Sequence, residues 1–270
     1  MANFTTRLNL RKPDPDPMTG DDVDIQEDLN ANWDKVDEAV AILEGQINTI
    51  NSQIRPVMVV YTSDGTFTKA NYPWAKRVRV RVQAGGGGGG GAAPTGAGQT
   101  SVGGGGGGGG YCEKWIDISA LAASETVTVG SGGSGGTPDG VGSGNTGGTS
   151  SFGTWCSASG GTGADGGVAG TSQVHVTGGN GGTASGGDIN IRGSDGGNGV
   201  RGGGWVFSVG QGGASMLGAE KRPNATDAGF AGENGRSYGG GGTGAHNTPN
   251  QATGQPGGNG AAGIVIVEVY

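Results

Sequence analysis

Histidine, cysteine and paired carboxylates carry most catalysis and metal binding, and this sequence offers them in no productive pattern. The two histidines, His175 and His246, stand apart. Neither has a cysteine or carboxylate set around it at metal-ligand spacing. The two cysteines, Cys112 and Cys156, are too few for a disulfide framework. They either pair with each other or are buried as small apolar residues, the commoner fate of the type. Asp165, Asp188 and Asp195 lie in glycine-flanked, turn-like contexts, not as the two acids of a cleft. GxGxxG arrangements arise here from glycine content alone, and no GxxxxGK[ST] phosphate loop exists. An enzyme is therefore not expected, nor is a bound metal or cofactor.

Residues suited to recognition are more plentiful. Residues 217–227 and 245–255 are poor in glycine and rich in polar side chains. Arg222, Asn224, His246, Asn247, Asn250 and Gln251 can hydrogen-bond a polyol such as a glycan, and Trp205, Phe230 and Tyr238 offer stacking faces. Loops on a rigid scaffold commonly carry binding. The same residues also suit ordinary connections and aromatic packing.

What positions them is a glycine-rich region. Of 67 glycines, all but Gly20, Gly45 and Gly65 lie between Gly85 and Gly263. The runs 85–91 and 103–110 break any collagen triplet. Ordering each glycine costs roughly 0.5–1 kcal/mol more than ordering alanine. The total is on the order of tens of kcal/mol, above a domain's usual net stability. The region is thus either disordered or held by something other than a side-chain core. Interleaved apolar pieces such as Val174-His175-Val176 and Trp205-Val206-Phe207 favour order. Extended glycine helices of three residues per turn have no internal hydrogen bonds. Packed closely, they can bond to one another and satisfy the backbone.

With 32% hydrophobic residues, the chain cannot build one large core. A net charge of −7 argues against nucleic acid as a partner. The first thirty residues hold no signal-peptide run and no stretch suits a membrane span, so synthesis in a cytoplasm without membrane insertion is expected.

In chain order, residues 1–24 read as an extended acidic arm with Phe4, Leu8 and Leu10 as anchors and Pro13, Pro15 and Pro17 against a helix. Asp24 with Glu27 has capping-box spacing. Leu29, Trp33, Val36, Val40, Leu43, Ile47, Ile50 and Ile54 then follow at alternating steps of four and three, a heptad seam. β-Branched residues at both core positions point to a parallel trimer. Past Pro56 the pattern turns to strands. Ser63-Asp64-Gly65 suggests a hairpin, and Arg77–Val82 alternates, valines inward and arginines outward. That basic stripe suits either an anionic polymer or, more commonly, solvent. The closing run from Ile264 is apolar on both faces, as a central strand paired back with 76–83 would be.

The expected fold class is an N-terminal extended arm and α-helical coiled coil, then a mainly β, glycine-rich domain with polyglycine-II-like segments, as a parallel homotrimer. The expected divisions are an arm (1–24), a coiled-coil helix (25–56), a β-sheet base (57–84, 111–129 and 263–270) and a distal region (85–110 and 130–262).

An ordered set of islands carries a resemblance: Tyr61-Thr62-Ser63-Asp64-Gly65-Thr66-Phe67-Thr68, the 77–82 strand leading into polyglycine, Tyr111-Cys112-Glu113-Lys114, Thr126-Val127-Thr128-Val129-Gly130 and the closing strand. Over residues 57–270 the chain resembles the glycine-rich tail fibre and minor tail proteins of bacteriophages. Asp28-Leu29-Asn30-Ala31-Asn32-Trp33 and the Leu8-Asn9-Leu10 opening look like virion-attachment ends of such proteins. The resemblance implies a trimeric fibre in the virion, made in the host cytoplasm. Its N-terminus, with Phe4, Leu8 and Leu10, would bind tail or baseplate proteins. Its distal part would meet a bacterial surface receptor, with a glycan as the expected chemistry. A structural tail-tip spacer is the alternative. A glycine-helix ice-binding protein would need a flat Thr/Ala face, which the sequence does not show.

Overall fold

The computed structural model describes residues 25–54, 56–139, 141–224 and 228–270. The anchors Phe4, Leu8 and Leu10 lie outside them, as do the side chains of Leu29 and Ile54. The chain divides into two units, residues 1–56 and residues 57–270.

In the first unit the described element is one helix, α1 (Ile25–Ile54). This corrects the expected fold class. The protein is mainly β, and among the described residues no second helix stands against α1 to make a coiled coil. Trp33, Val40, Leu43, Ile47 and Ile50 are exposed rather than paired in a seam, and Val36 is half-buried. A heptad spacing fixes which side chains share a face. It does not supply a second helix.

The described residues of the second unit hold fifteen strands. They are β1 (Val57–Tyr61), β2 (Gly65–Thr68), β3 (Arg77–Gln83), β4 (Ser101–Val102), β5 (Tyr111–Asp117), β6 (Ser124–Thr128), β7 (Ser150–Phe152) and β8 (Cys156–Ala158). Then come β9 (Val174–Val176), β10 (Ala184–Ser185), β11 (Ile189–Ile191), β12 (Gly199–Gly202), β13 (Trp205–Ser208), β14 (His246–Asn247) and β15 (Ile264–Val269).

Two five-stranded sheets, ordered β1-β15-β3-β5-β11 and β10-β8-β7-β6-β2, form the base. All their pairs are antiparallel. The turn at Ser63-Asp64-Gly65 does not make a hairpin, because β1 pairs with β15 and β2 crosses to β6 in the other sheet. Period-two alternation buries Val78, Val80 and Val82 completely. They join Val265, Val267 and Val269 against Phe67, Val127 and Phe152 of the facing sheet. The Phe67 and Phe152 rings meet edge-on at 5.7 Å. Cys112 of β5 and Cys156 of β8 form a disulfide that ties the two sheets together, so the cysteines pair and are also buried.

The arginines on the other face of β3 are neutralised within the sheet. Arg79 Nε donates to Glu113 at 2.8 Å, Arg81 pairs with Glu268, and the Tyr111 hydroxyl donates to Glu113 at 2.7 Å. Arg77 lies 4.8 Å over the Trp115 ring. Burial alone would raise the Glu113 carboxyl. Hydrogen bonds from Arg79 and Tyr111, with the charges of Arg79 and Arg81, outweigh it and hold the group below the usual carboxylate range.

From this base the glycine segments run outward and back. Gly85, Gly88 and Gly91 donate their N–H groups to Gly148, Asn145 and Gly142 at 3.1, 2.9 and 3.0 Å. Gly86 and Gly89 donate to Ala261 and Gly258, and Gly87 and Gly90 to Gly107 and Gly104. Every third residue therefore returns to the same neighbour, the mark of three residues per turn. The carbonyls of 85–91 accept from three other segments, around 133–136, 161–167 and 242–245. Segment 85–91 is thus enclosed by six neighbours, three bonded through its N–H groups and three through its carbonyls. Segment 103–110 is enclosed likewise: it donates to 239–245, 159–165 and 194–197, and accepts from 84–90, 179–182 and 210–213.

A side chain has no place in these two segments. A Cβ on Gly90 would overlap the Asp165 carbonyl, and one on Gly105 the Gln211 carbonyl. On the outside of the bundle the pattern changes. There an N–H with no further segment to meet is given a side-chain oxygen. Asp195 accepts from Gly181 at 2.8 Å, Asn259 from Gly135 at 2.8 Å and Asn198 from Gly178 at 2.9 Å.

Two outcomes follow for stability. Gly90→Ala must push two backbones apart and should cost about 3 kcal/mol or more in denaturant unfolding. Gly45→Ala, in α1 where a Cβ meets nothing within 4 Å, should leave that transition in place. Glu113 has a depressed folded pKa, so its contribution is complete above the unfolded value and disappears as pH falls through the folded one. The unfolding midpoint should drop below about pH 4, and Glu113→Gln should flatten that acid-side fall.

Candidate recognition surface

The hydrogen-bond ladder gives the glycine bundle two ends. Gly85, Gly110 and Gly263 adjoin the base strands, whereas Gly91 and Gly103 lie at the far end, about 20 Å away at 3.1 Å per residue. The hairpin of residues 92–102 closes the two central segments there. Other connections gather around it through Ala92 with Gly167 and Gln255, Thr100 with Gly170, and β4 with β14. Strands β13-β12-β9 form a small antiparallel sheet at the same end.

This sheet has a covered and an open face. Val176 and Arg201 are buried on the covered face. Arg201 Nη1 donates to the Ser172 carbonyl at 2.9 Å, and burial lowers its pKa. The register puts Trp205, half-buried Val200 and His175 on the open face, and Phe207 lies at the bulge where β13 shifts against β12; Trp205, Phe207 and His175 are all exposed. Trp205 is 72% and Phe207 64% exposed, unusual for side chains of this size in a strand. The hairpin is pinned from behind. Gly203 donates to the Thr171 carbonyl at 2.8 Å, and the Thr100 hydroxyl to the Trp205 carbonyl at 3.4 Å. Val141, Val168 and Phe230 are further exposed apolar side chains at this end.

The residues expected to contact a receptor are not brought together. Trp205, His246, Asn247, Asn250 and Gln251 are all at the far end, but two of them face inward. Asn247 is fully buried, donating from Nδ2 to the Ala93 and Thr253 carbonyls at 2.9 Å each. His246 is buried, its main chain paired with Phe230 and Val102. Both brace the central hairpin. Asn250 is exposed with a φ of 63°, a conformation asparagine tolerates better than most residues. Gln251 is half-buried and bonded through its main chain to Thr95. Arg222 and Asn224 are exposed on the flank, just past the Lys221–Gly212 bridge. Tyr238 sits at the base end, where its carbonyl accepts from Ser215, a bundle length from Trp205. Phe207 and His175 were not among the expected residues. Trp205-Val206-Phe207 has the composition of a strand, but the bulge at Phe207 interrupts its two-residue period and is not announced locally.

Among the described residues, no group of three or more His, Cys, Asp and Glu stands together to hold a metal ion. Nor is any described helix long and apolar enough to cross a membrane.

Residues 62–270 match the family model of a glycine-rich domain. The chain belongs to that family. The match spans nearly all of the second unit, so the glycine-rich domain comprises the β base, the bundle and the far-end surface together. No curated protein matches the chain.

Proposed function

We propose that this chain is a non-enzymatic bacteriophage tail fibre or tail-tip protein. Its N-terminal region attaches to other tail proteins of the virion, and its glycine-rich domain contacts the bacterial surface. The observation that carries the reading is the collection of exposed Trp205, Phe207, Val168, Val141 and Phe230 at the end of the bundle remote from the base. Scattered exposed apolar residues mean little, but several at one end of a rigid support mark an interaction surface. The chain enters the glycine-rich domain at Val57 in the base, so the far end is presented away from that connection. The resemblance of residues 57–270 to phage tail proteins supplies the setting.

Deleting residues 130–263 would not test this cleanly, because β7, β8, β10 and β11 of the base would go with them. The test is a competition with the full-length protein on the bacterium that the phage infects. The purified chain should bind those cells saturably and slow phage adsorption. Absence of binding by a folded chain that still assembles into particles would contradict the reading and leave a structural tail-tip spacer.

A further inference from the structure

The open face of the β9-β12-β13 sheet identifies a ligand class more closely than exposure alone. We infer that Trp205 and Phe207 on β13, with His175 two strands away across Val200, form a stacking platform for the pyranose rings of a neutral saccharide. The inference rests on the recognition reading above and names the chemistry of that contact.

Three observations select a saccharide over a protein partner. The first is area. Two large aromatic side chains on this sheet offer a few hundred Å² at most, and Val141, Val168 and Phe230 come from separate segments outside it; a stable protein interface needs about 800 Å² from each partner. The exposed area suits one or two sugar rings. The second is charge. The platform residues Trp205, Phe207 and Val200 are uncharged, and Arg201, the charged residue of β12, is buried on the opposite face. The rim is made of exposed Thr171, Ser172 and Gln173, whose hydroxyl and amide groups both donate and accept hydrogen bonds. A pyranose has the matching character, apolar C–H groups on its faces and hydroxyls at its edge. An acidic polymer would find no accessible cation on this face.

The third is rigidity. The β12–β13 hairpin is bonded to Thr171 through Gly203 and to Thr100 through the Trp205 carbonyl, while Arg201 holds the Ser172 carbonyl beneath it. A surface already fixed in its binding form loses little entropy on contact. Because β13 is the edge strand of its sheet, the platform is open on one side, and a polysaccharide can extend past it.

The experiment uses full-length protein and a soluble polysaccharide extracted from the wall of the infected bacterium, with binding followed by calorimetry. Trp205→Ala and Phe207→Ala should each weaken binding at least tenfold with unchanged thermal unfolding. Trp205→Phe, which keeps a ring, should lose less. Periodate oxidation, which opens sugar rings bearing neighbouring hydroxyls, should abolish binding, and protease treatment of whole cells should not. If the wild-type chain binds cells but Trp205→Ala binds equally well, the platform is wrong while the recognition reading stands. Binding removed by protease and retained after periodate would overturn the saccharide. A wild-type chain that binds neither cells nor polysaccharide would bring down both.

Discussion

The glycine-rich domain depends on one constraint: a threefold extended helix can bond none of its own peptide groups, so every N–H and C=O must find a neighbour. For the central segments 85–91 and 103–110 that demand is met by other main chains on all sides. Neighbours can approach closely enough only where no Cβ intervenes, which is why these two segments are unbroken glycine. The entropy cost of so many ordered glycines is offset by a dense backbone hydrogen-bond network, not by apolar burial. Side chains return where the bundle meets solvent. There Asp195, Asn198 and Asn259 occupy the direction a further segment would have taken.

The same constraint explains the base. A bundle of segments with no interlocking side chains has little to fix which segment lies beside which. The β-sandwich collects their ends and sets their order through ordinary valine and phenylalanine packing. The closing strand β15, between β1 and β3, and the Cys112–Cys156 disulfide join distant parts of the chain there. The outward face of this sheet consumes its own charges in the Arg79, Arg81, Glu113 and Glu268 network. It is therefore a poor candidate for an anionic polymer. At the far end, by contrast, Trp205 and Phe207 stand exposed on a hydrogen-bonded support, which is why the proposed contact is placed there.

Much of this was legible where the information is local. Alternation in Arg77–Val82 and the two-sided apolar run of β15 identify a paired pair of strands, and the structure joins them in register from Val78–Val269 to Gln83–Ile264. Other features are set by distant partners. The Ser63-Asp64-Gly65 turn has hairpin chemistry, yet its flanking strands enter different sheets. The heptad seam of α1 specifies a face without specifying a cover, and the coiled coil was an extrapolation from it. Asn247 and His246 read as loop polar groups because nothing in their neighbourhood announces that the 92–102 hairpin needs internal donors. The neighbour order of the glycine segments was not legible, since residues without side chains carry no pairing preference.

Main-chain hydrogen bonds, not a side-chain core, hold the glycine bundle together. Amide hydrogen exchange on the full-length protein tests this most directly. The amides of residues 85–91 and 103–110 should exchange as slowly as those of β3 and β15 in the base. Exchange of those glycine amides at the rate of a free peptide, while β3 and β15 stay protected, would contradict it.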